Sequence, residues 1–174
     1  MIKSLINPKT QLYLDFKKFV LSGDFYWSYN SDMTYQDPPN SNYTNIFYYS
    51  HMFLMRPGNN PFRFPKNNSD HLEFAAQVFL EIFKHNEIEI NSFLRINANC
   101  VHPYSNILNT VPHTDHDYDH KNALIYLTNS GGCTVVENNV YDPKEDDVII
   151  FGGESHYHQT PRQDRRVVLV ATFI

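Results

Sequence analysis

The sequence predicts a mainly β protein with helices toward its N-terminus, the strands forming an antiparallel barrel or sandwich. Past residue 87 the apolar period changes from helical to two. Several short apolar runs then follow, separated by turn residues with no helical pattern between them, which argues against a parallel α/β sheet. Four of the six glycines fall in Gly131-Gly132 and Gly152-Gly153, at the junctions of those runs.

Asn7 followed by Pro8 reads as a helix start. Leu12, Phe16, Phe19 and Val20 then recur at helical spacing until Gly23. From Phe25 to Pro65 the chain is rich in Tyr, Asn and Pro, with Pro38-Pro39, Pro57-Gly58 and Pro61 as breakers. Inside that stretch Asn45 to Met55 is apolar and aromatic enough for a strand, and the rest reads as loop. A second helix is expected after Ser69 or Asp70, with Glu73 three beyond Asp70 as in a capping box. Leu72, Ala76, Phe79, Leu80 and Phe83 make its apolar face. Phe74, Val78 and Ile82 widen it enough to pack against a sheet, and the helix ends near His85-Asn86. Ile88, Ile90 and then Phe93 to Val101 read as a strand. Ala123 to Thr128, Thr134 to Val136, Val148 to Phe151 and Arg166 to Phe173 are four more.

At 174 residues and 20.4 kDa the chain fits one domain, 1–174, with 1–87 as a helical and loop support and 88–174 as the β core. Hydrophobic residues make up 41% and charged residues 19%, so a core can form and wholesale disorder is excluded. Fourteen Lys and Arg against nineteen Asp and Glu give a formal charge of −5. That leaves no cationic surplus for counterion release, which argues against a nucleic-acid partner held through phosphates. No run approaches the roughly 20 apolar residues of a membrane helix, and Met1 to Val20 lacks a signal peptide's apolar stretch. Cys100 and Cys133 cannot make a disulfide framework. The expectation is a soluble, cytoplasmic chain with no membrane partner.

The chemistry concentrates in Pro112 to His120, which holds three histidines and three aspartates in nine residues. On an extended chain His113 and Asp115 point to one side, so both can face one metal. His156-Tyr157-His158 offers a distant third ligand. Two imidazoles and one carboxylate leave the opposite positions of a metal open, the arrangement of non-haem Fe(II) oxygenases. Ten residues after His156 comes Arg166, at the head of Val167 to Phe173, where a guanidinium can hold a carboxylate bidentately.

From about Arg95 to Ile174 the chain resembles the Fe(II)/2-oxoglutarate-dependent dioxygenases, particularly the small prolyl-hydroxylase-like members. His113-Thr-Asp115 looks like the family's HxD. Ile125-Tyr126-Leu127-Thr-Asn followed by Gly131-Gly132 is similar to its "YLN…GG" segment. Asp142 to Phe151 looks like the turn and strand before its distal histidine, and His156…Pro161…Arg166-Val-Val-Leu is similar to its closing segment. The resemblance implies a double-stranded β-helix, a cupin-like jelly roll with helices buttressing one sheet. It implies Fe(II) on His113, Asp115 and a distal histidine, with 2-oxoglutarate and O2 as co-substrates and ascorbate as an accessory. Arg166 would hold the far carboxylate, Tyr126 would be a second donor, and Asn99 a further co-substrate contact. Tyr104 is a weaker candidate of the same kind. The activity implied is hydroxylation of a C–H bond in a protein side chain or small molecule, with release of succinate and CO2. The primary substrate is not legible; residues 25–65 and the loop 117–121 are where specificity is expected.

His156 is preferred to His158 as the distal ligand because it puts Arg166 at +10 and Pro161 at +5, spacings that fit the family. Strand parity alone leaves both open. Arg166 is preferred to Arg165 because it directly precedes Val167-Val168-Leu169. His116, Asp117, Asp119 and His120 read as loop residues, and Cys133 as a buried strand residue. The alternatives are a non-catalytic jelly-roll binding module, a cupin oxygenase independent of 2-oxoglutarate, and a zinc hydrolase. The last lacks the second ligand that an HxHxDH motif requires.

Overall fold

The computed structural model of the chain describes residues 1–34, 36–58 and 63–174; the breaker expected at Pro61 lies outside them. In chain order the elements are β1 (Lys3–Leu5), α1 (Gln11–Leu21), β2 (Ser28–Asn30), β3 (Tyr43–Thr44), β4 (Tyr48–Met55), β5 (Lys66–Asn67) and α2 (Leu72–His85). Then come β6 (Phe93–Val101), β7 (Asn109–Thr110), β8 (Lys121–Tyr126), β9 (Thr134–Val136), β10 (Asn139–Tyr141), β11 (Val148–Phe151), β12 (His156–His158) and β13 (Arg166–Phe173).

Eight strands form one sheet in the order β1-β11-β8-β13-β6-β4-β2, with β5 added to β4, and every pairing in it is antiparallel. A smaller sheet, β10-β9-β12, faces it; β3 and β7 form a parallel pair. Backbone bridges Asn109–Gln159 and His113–His156 tie the chain around β7 to β12. The two faces make a double-stranded β-helix, the jelly roll, with both helices on the outside of the larger sheet.

The central strand β13 shows why the sequence folds this way. All eight of its residues are buried. Val167, Leu169, Ala171 and Phe173 join Phe16, Val20, Phe79, Ile82 and Phe83 of the helices in the main core. Val168 and Val170 point the other way and pack with Leu124, Tyr126 and Val136 inside the roll. A strand covered on both faces reads as one continuous apolar run, as 167–173 does. At the turn into β9, Gly132 has φ +86, and a Cβ there would lie 2.6 Å from the Gln159 carbonyl oxygen. Only glycine lets β9 approach the end of β12 so closely.

Both helix starts differ from the sequence expectation. α1 begins at Gln11, not Pro8, because the Thr10 hydroxyl accepts from the Tyr13 N–H (3.2 Å), while Asn7 accepts from the Lys9 N–H and closes a turn ahead of the helix. α2 starts after His71, which makes no side-chain cap; Ser69 instead accepts from the His71 N–H and meets His51 Nε2 at 2.8 Å. The buried stripe of α2 is Ala75, Val78, Phe79, Ile82 and Phe83, whereas Leu80 is 37% exposed. Those five follow the i, i+3, i+4, i+7, i+8 spacing, and Leu80 falls off its edge. Ile88 and Ile90 are not in a strand: the chain leaves α2 through Glu87 at φ +55, and both isoleucines pack against the edge of the main core. The short strands β1 and β10 carry too little apolar pattern to be read as strands, whereas the strand expected to carry His156 and His158 is β12. No helix among the described residues is long and apolar enough to cross a membrane.

Candidate metal centre

The chain between β7 and β8 carries His113 and Asp115, and β12 opens with His156. Two backbone hydrogen bonds lock the segments together: His113 N–H to the His156 carbonyl (3.0 Å) and His156 N–H to the His113 carbonyl (2.9 Å). The two rings are consequently 4.7 Å apart. One ligand atom from each of His113, Asp115 and His156 lies within 4.8 Å of the other two.

The protonation of the rings follows from their partners. His113 Nδ1–H donates to the Val111 carbonyl and His156 Nδ1–H to the Glu154 carbonyl, each at 3.0 Å. A carbonyl can only accept, so the proton is on Nδ1 and the lone pair is on Nε2, the tautomer that binds metal. Burial pushes the His156 imidazole down to about 4 against the pull of Asp115, so it is neutral at pH 7.

Asp115 is 7% exposed. Its Oδ1 pairs with Arg95 Nη2 at 2.9 Å, its Oδ2 faces His156 Nε2 at 3.6 Å, and its carbonyl accepts from Arg56 Nη1 at 2.6 Å. Burial alone would raise this carboxyl. Arg95, His156, His113 and Arg56 outweigh it and hold the group far below the usual carboxylate range. Two imidazole Nε2 atoms and one carboxylate oxygen facing a cavity suit a divalent ion with open positions.

That cavity, of about 360 Å³, runs between the sheets from the three ligands to Arg166. Asn97, Asn99, Thr134, His158 and Val168 line it, and Asn30, Thr34, Tyr48 and Arg56 reach it from the stretch before β5. Arg166 is 5% exposed and donates through Nη2 to Thr134 Oγ1 (3.0 Å). Its guanidinium carbon lies 5.3 Å from the Tyr126 ring centroid, and the Tyr126 hydroxyl also donates to Thr134 Oγ1, at 2.8 Å. With both acceptor sites of Thr134 taken, its own proton is left to donate. Asn99 lines the cavity with its Oδ1 accepting from Asn97 Nδ2 at 2.7 Å.

The arrangement separates residues the sequence left as rivals. His156 belongs to the three-ligand group. His158, one strand step further, lies nearer the Arg166 end, and burial with that guanidinium beside it lowers its pKa well below 6.5. Arg165 points out of the cavity and donates to the Leu21 carbonyl at the end of α1 (2.9 Å). Tyr104 is not among the cavity-lining residues and packs on Phe47. His116 is bonded to Thr172 Oγ1 (2.8 Å) and His120 to the Tyr118 carbonyl (2.8 Å). Neither His116 nor any residue of 117–121 lines the cavity. Arg95, Arg56 and Thr134 were not singled out from the sequence. Arg95 and Thr134 did carry a signal: Arg95 shares its parity on β6 with Asn97 and Asn99, and Thr134 is the one polar residue of β9. Arg56 carried none, since its contact spans 59 residues.

No protein-family model matches the sequence, and no curated protein does. Among solved structures, the chain is similar to an oxidoreductase of the 2OG-Fe(II) oxygenase family from Burkholderia pseudomallei, with 16% identity, 92% of this chain and 76% of that one covered, and a TM-score of 0.61. It is similar to the non-heme alpha ketoglutarate dependent epimerase SnoN from nogalamycin biosynthesis, at 9% identity, 99% and 77% coverage and a TM-score of 0.59. It is also similar to a prolyl hydroxylase from Trichoplax adhaerens in complex with a hypoxia inducible factor peptide fragment, at 13% identity, 99% and 83% coverage and a TM-score of 0.54. The fold is therefore the jelly roll of the 2OG-Fe(II) oxygenases.

Proposed function

We propose that this protein is an Fe(II)- and 2-oxoglutarate-dependent dioxygenase, acting in the cytoplasm on a C–H bond of a protein side chain, as a prolyl hydroxylase does, or of a small molecule. The carrying observation is the cavity itself: two Nε2 lone pairs and one carboxylate oxygen at one end, a buried guanidinium at the other.

Iron, when bound, supplies the activation of O2, one atom of which enters succinate and the other the hydroxylated product as CO2 leaves. The chain's residues do the positioning. His113, Asp115 and His156 would hold the ion. Arg95 fixes Oδ1 of the Asp115 carboxylate and leaves Oδ2 for the ion, while Arg56 holds the backbone carbonyl of the same residue. Arg166, supported by Thr134, grips the far carboxylate of 2-oxoglutarate, with Tyr126 ordering both and Asn99 beside them on the neighbouring strand β6. Leu124, Val168 and Val170 make the apolar lining that shields the reacting atoms from water.

Anaerobic reconstitution with Fe(II), then air and 2-oxoglutarate, should yield succinate, with none from His113→Ala or Asp115→Ala. Protein that binds iron and neither binds nor consumes 2-oxoglutarate would sink this reading. The zinc hydrolase lacks a second set of ligands: among the described residues the three-ligand group stands by itself, and His116 and His120 are bonded elsewhere.

A further inference from the structure

Three side-chain nitrogens of cavity-lining residues are buried without a partner: Arg95 Nε beside Asp115, and Arg166 Nε and His158 Nε2 away from it. The last two converge on one neighbour. His158 stands directly across from Thr134 in the β12–β9 ladder, so the two side chains share a face, and Arg166 donates to that same threonine. Arg166 Nε can only donate. For His158 the other ring nitrogen faces a hydroxyl. Thr110 Oγ1 accepts the His158 backbone N–H at 3.0 Å and keeps a proton and a lone pair for Nδ1, 3.5 Å away. A carboxylate oxygen facing Nε2 selects the tautomer with the imidazole proton on Nε2, the Thr110 hydroxyl then donating to Nδ1.

Paired buried donors without an acceptor describe a site for a group that only accepts, and a carboxylate has two such oxygens. We infer that His158 is a recognition residue for the far carboxylate of the co-substrate, its Nε2–H and Arg166 taking that carboxylate together. The site then selects a dicarboxylate over a 2-oxo acid ending in a methyl group. This rests on the dioxygenase reading and adds a residue to it. The metal is not His158's partner: His156 completes the ligand group.

The test uses the whole protein loaded with Mn(II), which does not turn over, titrated calorimetrically with 2-oxoglutarate and with 2-oxopentanoate, which lacks the far carboxylate. His158→Leu fills the space without a donor; His158→Gln keeps an N–H near the position of Nε2. The leucine variant should bind 2-oxoglutarate about tenfold more weakly or worse, the scale of one lost hydrogen bond to a charged group. Its affinities for 2-oxopentanoate and for Mn(II) alone should not change, and glutamine should restore most of the loss. Equal loss for both acids, or none for either, overturns the inference, as does loss of Mn(II) binding in the leucine variant. Wild-type protein that binds Mn(II) and not 2-oxoglutarate refutes instead the dioxygenase reading on which it stands.

Discussion

Arg95 Nη2 sits 2.9 Å from Asp115 Oδ1, and the carboxylate's other oxygen faces His156 Nε2 at 3.6 Å. The carboxylate is thus divided, one oxygen held by the protein and one presented to the ion. Arg95 acts through Asp115 without entering the ligand set.

Removing such an outer partner of a metal ligand costs about 10–100-fold in affinity. Arg95→Leu should weaken Mn(II) binding by that order while the fold persists. Arg95→Lys keeps a cation without the planar fork and should fall between the two. Calorimetry with Mn(II) alone checks it; unchanged affinity in Arg95→Leu would show that Asp115 needs no such support.

Arg166 separates stability from binding. Its guanidinium is buried, and Nε has no partner. Burial pulls its pKa below the ordinary value. Arg166→Met should therefore leave the unliganded melting temperature level or raise it, by about 1 kcal/mol at most, since replacing a buried charge with an apolar chain is often neutral or stabilising. The same change should weaken 2-oxoglutarate binding by about 10–100-fold, for the loss of one or two charge-assisted bonds. A variant that unfolds would mean that Arg166 is structural, against this account.

How much could be read in advance differs by element. The run 167–173 was legible because both its faces are covered, so every position but Thr172 is apolar and Arg166 stands out at its head. His113 and Asp115 were legible because two-residue spacing on an extended chain sets a common side. Parity could not separate His156 from His158, since it puts both inward, and the preference for His156 came from its spacing to Arg166; the His113–His156 bridge and the Thr134 pairing assign the two histidines different neighbours. Helix caps failed because Asn7 and Ser69 have the right chemistry for capping but spend it on adjacent turns and on His51.

The α2 stripe gives a sharp contrast. Ile82 is 1% exposed and Leu80 is 37% exposed, although both are apolar and two residues apart. Ile82→Ala should cost about 2–5 kcal/mol, the range for truncating a packed aliphatic side chain. Leu80→Ala should stay within roughly 0.5 kcal/mol, as exposed substitutions do. Urea unfolding at constant slope measures both; equal costs would place Leu80 in the core, as the sequence alone suggested.

Asp146 gives the pH dependence. It accepts from the Tyr13 hydroxyl and from Lys17 Nζ, each at 2.5 Å, and pairs with Lys9 at 2.9 Å, tying the turn before β11 to α1. Burial by itself would raise its pKa; the bonds from Lys17, Lys9 and Tyr13 prevail and lower it from 3.8 to about 2. A carboxylate depressed on folding stabilises the protein fully above its unfolded value and loses that contribution as pH falls through the folded one. Stability should therefore drop between about pH 4 and pH 2, by on the order of 1 kcal/mol once solvent screening of the lysines is allowed for. Asp146→Asn isolates the charge: the amide oxygen still accepts from Tyr13, and asparagine tolerates the left-handed backbone at φ +70. The variant should be less stable by that amount at pH 7 and level with wild type at pH 2, read as urea midpoints across the range. Parallel curves for the two proteins from pH 7 to pH 2 would mean that the ion pairs contribute nothing and the hydroxyl bond alone holds the turn.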